Sequence, residues 1–151
     1  ENIISVDYVD GFSMLINKEK FNDDVLFDEN FFLYLENTDL CLRAKKKGQN
    51  IFIIKNSFIT HLGATSIASK DLEYLRNWHW MWSKFYYNKK HYGYLNALFK
   101  ISLNFNSAIF KYFFYLLILN NHKKTIYKMR ILGIINSMLG KKSWYRPNTE
   151  S

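Results

Sequence analysis

Glu36-Asn37-Thr38-Asp39, with Arg43 one turn further on, is the stretch of this 151-residue sequence best equipped for chemistry. In a helix, positions 36, 39 and 43 share a face, because side chains three and four residues apart stack on one another. Two carboxylates then stand at a helix N-terminus beside a guanidinium. The helix dipole and Arg43 keep them ionised, which suits a general base or an acceptor for a substrate hydroxyl. The same spacing also serves plain N-terminal capping with an i,i+4 salt bridge. Spacing alone leaves both readings open.

Two further constellations follow. His61 is succeeded by Leu62-Gly63-Ala64-Thr65-Ser66, a loop of mostly small residues, and could ligate a metal or contact a phosphate. It could equally be an ordinary structural histidine. The run from Trp78 to Tyr92 interleaves Trp78, Trp80 and Trp82 with Lys84, Lys89 and Lys90. Amphipathic rings beside lysines suit a membrane interface or stacking on single-stranded nucleic acid. Trp78 and Trp82, one turn apart, also suit packing against a neighbouring element.

The elements that must carry these groups fall into two kinds. Ile3–Val9 and Phe12–Asn17 read as short strands separated by Gly11. Asn22-Asp23-Asp24 and Asp28-Glu29-Asn30 read as turns or caps. The spacing predicts a helix over Glu36–Lys47, with acids in its first turn, lysines in its last and Gly48 as the stop. Ile51–Ile54 reads as a buried strand and Phe58–Leu62 as another short one. Beyond Ser66 the periodicity becomes helical, over Lys70–Lys90, Gly93–Leu119 and Thr125–Leu139. The predicted organisation is therefore an α/β part over residues 1–68 and a helical, basic, aromatic part over residues 69–151. The best apolar run, Tyr112–Leu119, is flanked by lysines and falls short of the roughly 20 residues that a membrane span needs.

Charge divides the chain in the same place. Residues 1–62 hold ten acids and seven bases; residues 63–151 hold three acids and fourteen bases. The basic half expects an anionic surface, and the acidic half has carboxylates available for a site. With 48% apolar and 19% aromatic residues the chain is not disordered, and its one cysteine, Cys41, excludes an intrachain disulfide framework. The start at Glu1-Asn2 carries no secretory signal pattern, which suggests a removed start or a piece of a longer protein. The acidic first half and the lack of zinc-finger, RNP or KH signatures argue against nucleic acid as a partner.

Five blocks resemble the C-terminal half of family 2 glycosyltransferases, closest to the bacterial rhamnosyltransferase-like enzymes. They are Asp10-Gly11-Phe12-Ser13-Met14-Leu15-Ile16, then Phe27-Asp28-Glu29-Asn30-Phe31-Phe32-Leu33-Tyr34, then Glu36-Asn37-Thr38-Asp39-Leu40-Cys41-Leu42-Arg43, then Gly48, then His61 with Gly63 and Ser66. The resemblance implies an α/β fold, a partial GT-A (Rossmann-like) sheet followed by the helical tail, with the N-terminal nucleotide-binding half missing. It implies an inverting transferase that uses a nucleotide-sugar donor, a divalent cation (Mg²⁺ or Mn²⁺) and a saccharide, often lipid-linked, acceptor in cell-surface polysaccharide assembly. Such an enzyme would work peripherally, at the cytoplasmic face of the bacterial membrane. Carried over by position, Asp39 or Glu36 is the base, and Asp10, Gly11, Asn37 and Arg43 line the substrate site. His61 contacts the metal or diphosphate. Trp78, Trp80, Trp82, Lys84, Lys89 and Lys90 face an anionic membrane surface. The family motif has an acid where Asn37 stands, and an amide cannot serve as a base. The alternative is a non-catalytic, basic amphipathic membrane-surface module.

Overall fold

The computed structural model describes residues 2–21, 26–61 and 69–146. The expected turn Asn22-Asp23-Asp24 and the loop Leu62–Ser66 lie outside them. The chain divides into two compact units, Glu1–Phe31 with Leu35–Thr65, and Phe32–Tyr34 with Ser66–Ser151.

The first unit holds strand β1 (Ile3–Val6), a single 3-10 turn (Lys18–Phe21), helix α1 (Glu36–Lys46) and strand β2 (Ile51–Ile54). α1 forms where charge complements the helix dipole: Glu36 and Asp39 lie in its first turn, and Arg43, Lys45 and Lys46 in its last. Gly48, at φ 76°, takes the left-handed position just past the end. β1 and β2 run antiparallel, with Ile3 opposite Ile54 and Val6 opposite Ile51. The apolar core of this unit is small: Leu40 and Ala44 of α1, packed by Met14, Ile16 and Leu26.

This overturns the expected α/β class with a partial Rossmann-like GT-A sheet. The described residues form four α-helices and one two-stranded antiparallel sheet, a mostly helical protein. Strands of a parallel sheet under helices are buried on both faces. Here Ile3, Ile4, Phe52, Ile53 and Ile54 are all exposed. The apolar runs at 12–17 and 58–61 form no strand. Over 14–16 the side chains do alternate: Met14 and Ile16 pack on α1 while Leu15 points fully into solvent. The alternation is present without a ladder partner.

The second unit contains α2 (Lys70–Tyr92), α3 (Tyr94–Leu117) and α4 (Asn121–Met138), each packed on the other two. The Ser69 hydroxyl caps α2 by accepting from the Leu72 amide at 3.1 Å. Gly93, at φ 86°, turns the chain directly from α2 into α3. Asn120 accepts from the Lys123 amide at 3.0 Å, so α4 begins four residues before the expected Thr125. Met81, Phe85, Ala97, Ile101 and Ile134 form the shared core. α4 lies close against α2 at Gly133, where an added Cβ would stand 2.3 Å from the Trp78 carbonyl oxygen. Trp82 is anchored through its indole N–H to the Lys141 carbonyl at 3.0 Å, and Ser83 donates to the Leu33 carbonyl at 2.8 Å.

His79 is fully buried in this unit. Its Nε2 faces the Tyr145 carbonyl at 2.8 Å and its Nδ1 faces the Ser143 hydroxyl at 3.0 Å. A carbonyl only accepts, so Nε2 carries the proton and Nδ1 accepts from Ser143. Burial lowers the imidazole pKa to about 4; the Tyr145 carbonyl opposes the shift and the Arg146 charge adds to it. The unfolded chain takes up this proton as pH falls through about 6.5, whereas the folded chain resists until about 4. Stability is therefore complete above pH 6.5 and declines between 6.5 and 4. Thermal melts across that range should show a falling Tm, and the slope should flatten in a His79→Gln variant.

Candidate active site

The site sits in the first unit, where the first turn of α1 meets the loop after β1. Two bulky residues in left-handed backbone lead into the helix, Tyr34 at φ 71° and Leu35 at φ 67°. Each such residue costs on the order of 1–2 kcal/mol, and strain of this kind collects at functional sites. Asn37 donates from Nδ2 to the Val9 carbonyl at 2.9 Å. A Cβ on Gly11 would stand 3.4 Å from the Asn37 Cβ. The loop is thus laid on the helix start, with Asp10 and Gly11 exposed beside Asn37.

The two candidate bases occupy different surroundings. Asp39 is fully buried, and Arg43 donates from Nε to its Oδ2 at 2.8 Å. Arg43 also donates from Nη2 to the Leu26 carbonyl. This pair ties α1 to the segment before it and commits the Asp39 carboxylate to Arg43. Glu36 is only half-buried, yet its Oε2 lies out of solvent with no hydrogen-bond partner in the described structure. Buried polar atoms of this kind are rare and costly, and one that persists has an acceptor position to offer. The structure therefore separates two acids that spacing could not: Asp39 with Arg43 is a structural pair, and Glu36 is the reactive candidate.

The His61 ring is exposed and stacks on Phe12, centroids 4.6 Å apart at 11°. Among the described residues no three His, Cys, Asp or Glu side chains gather to hold a metal ion. The expected membrane-facing set also gives way in part. Trp78 and Trp82 are buried, because α2 turns that face onto α4 at Gly133. Lys84 is turned inward to donate to the Asn104 Oδ1 at 2.8 Å; burial and the nearby Arg130 charge lower its pKa. Lys89 stands over the Tyr94 ring at 5.8 Å, while Trp80 and Lys90 remain exposed.

Sequence reasoning missed two features. One is an open, largely apolar groove of about 650 Å³ in the first unit, lined by Phe12, Met14, Ile16, Cys41, Phe52 and Phe58 among others. No sequence signal marks it, since it arises where the 12–17 run lies against α1 and β2. The other is the exposed apolar stripe of α3: Leu95, Phe99, Leu103, Phe110 and Leu117. Its spacing of four and seven was visible, alongside a second set at Ala97, Ile101 and Ala108 that fills the core.

Comparison of the chain with protein-family models, curated proteins and solved structures gives no match.

Proposed function

We propose that this chain forms the acceptor-side part of an enzyme that transfers a sugar, with inversion, from a nucleotide-sugar donor to a saccharide acceptor, lipid-linked in the reading favoured by the sequence blocks. The observation that carries the reading is the partnerless, buried Oε2 of Glu36, at a helix N-terminus beside the Asn37–Gly11 contact. The reading rests on these residues and on the motif blocks that contain them.

Glu36 acts as general base. As the acceptor hydroxyl oxygen bonds to the anomeric carbon, its proton passes to the Glu36 carboxylate, and the donor's bond to the nucleoside diphosphate breaks with both electrons leaving on the diphosphate. Asn37 takes no proton; its amide holds the Val9–Gly11 loop in place. Gly11 lets an acceptor sugar approach the backbone closely, and the Asp10 carboxylate offers hydrogen-bond acceptors to sugar hydroxyls. Asp39 and Arg43 fix the helix that presents Glu36. A divalent cation that steadies the diphosphate belongs to the same reading; among the described residues no three His, Cys, Asp or Glu side chains gather around one point.

The test is transfer itself. The full-length protein is incubated with labelled nucleotide sugars and lipid-linked saccharide acceptors, and labelled product is counted with released nucleoside diphosphate. Product formation that depends on Glu36 supports the reading. Transfer that persists undiminished in a folded Glu36→Gln protein removes Glu36 from the mechanism and, with it, the proposal.

A further inference from the structure

We infer that α3 lies flat on an anionic phospholipid bilayer, with its outward stripe in the headgroup boundary. α3 is apolar on two opposite sides. Ala97, Ile101 and Ala108 are buried against the rest of its unit. On the other side Leu95, Phe99, Leu103, Phe110 and Leu117 fall within about a quarter of the helix circumference. They are 82%, 81%, 81%, 72% and 81% exposed. Isolated exposed apolar residues are ordinary, but a stripe roughly 33 Å long on one helix face marks an interaction surface.

Charge selects the occupant. From Asn77 to Thr149 the sequence has twelve Lys and Arg and no acid. Lys100 and Lys111 are exposed on α3 along one border of the stripe. Their ammonium groups are steadied over the rings of Tyr92 and Tyr127, at 4.3 and 5.4 Å. Two copies meeting through this face would bring like charges together, whereas lipid phosphates meet lysines while the acyl boundary takes up leucine and phenylalanine. No described helix is long and apolar enough to cross a membrane, so α3 lies in the interface plane. Binding here is independent of sugar transfer.

The experiment is flotation of the protein with vesicles of phosphatidylcholine, with and without about one-third phosphatidylglycerol. Binding is expected with the anionic vesicles, and it should weaken by about 25-fold or more on neutral ones or in high salt. The triple variant Phe99→Ser/Leu103→Ser/Phe110→Ser should lose about tenfold or more in affinity with an unchanged melt, since none of the three is in the core. Lys100→Gln/Lys111→Gln, which leaves every core contact intact, should lose roughly fivefold per lysine on anionic vesicles only. Absence of binding by the unmodified protein overturns the inference. So does equal binding by both variants. A dimer in sedimentation that the triple variant dissolves, without vesicle binding, assigns the stripe to a second copy and overturns it as well.

Discussion

Glu36→Gln should lower sugar transfer by the full-length protein by about two to four orders of magnitude, the range that a positioned general base contributes. The loss should fall on kcat, with KM for the acceptor nearly unchanged. Glutamine keeps the shape of the side chain and one acceptor oxygen, so the acceptor sugar can still bind. It cannot take the hydroxyl proton as the new bond forms. The melt should stay close to that of the unmodified protein, because Oε2 has no partner to lose. Asp39→Asn is the informative contrast. Asp39 is fully buried against the Arg43 guanidinium, and breaking such a pair leaves an uncompensated charge. That variant should lose about 3 kcal/mol of stability, and its residual activity should track the folded fraction. Measuring kcat and Tm on both proteins tells a catalytic role for Glu36 from a structural role for Asp39.

Gly133→Ala should destabilise the helical unit by about 3 kcal/mol, lowering its Tm by roughly 12–24 °C. The reason is the identity of the neighbour. The new methyl would meet the Trp78 carbonyl oxygen at 2.3 Å and the Trp82 amide nitrogen at 3.3 Å, both backbone atoms of α2. A flexible side chain could swing aside, but a helix backbone cannot. α2 and α4 must separate, which loosens Met81, Phe85 and Ile134 together. The usual gain in helix propensity from glycine to alanine, about 1 kcal/mol, is too small to offset this. Scanning calorimetry on the two proteins measures the difference, and an equal or higher Tm in the variant would contradict the close approach.

Local features of the fold were legible in the sequence, and long-range ones were not. α1 could be read from Glu36 to Gly48 because its charges follow the dipole and its stop is a glycine, all within one segment. The three long helices announced themselves by period. The sheet did not. β-branched residues at 3–6 and 51–54 favour extended backbone, but partner and direction depend on Ile3 meeting Ile54 about fifty residues away. The apolar run at 12–17 has strand character and still finds no ladder, because its residues pack on α1 instead. At the site, Glu36 and Asp39 are equivalent by position in the first turn. Only burial, and the choice Arg43 makes between them, tells the two apart. The tryptophans carry the same lesson. Their rings suit an interface or a core equally well, and what buries Trp78 is a glycine fifty-five positions later that lets α4 close on it.

The division into two units has a consequence for spectroscopy and folding. All four tryptophans, Trp78, Trp80, Trp82 and Trp144, belong to the helical unit. Intrinsic fluorescence in a denaturant titration therefore follows α2, α3 and α4 and is blind to α1 and the strand pair. Amide hydrogen exchange sees both. In the helical unit α2 passes to α3 through Gly93 alone and α3 to α4 through the short turn 118–120, so each helix folds back on the one before it, whereas the β1–β2 pair must close a loop of about fifty residues, at an entropic cost of about 3 kcal/mol before any ladder bond forms. On refolding, the fluorescence signal should reach its final value while the amides of Ile3–Val6 and Ile51–Ile54 are still exchanging freely, with the strands closing last.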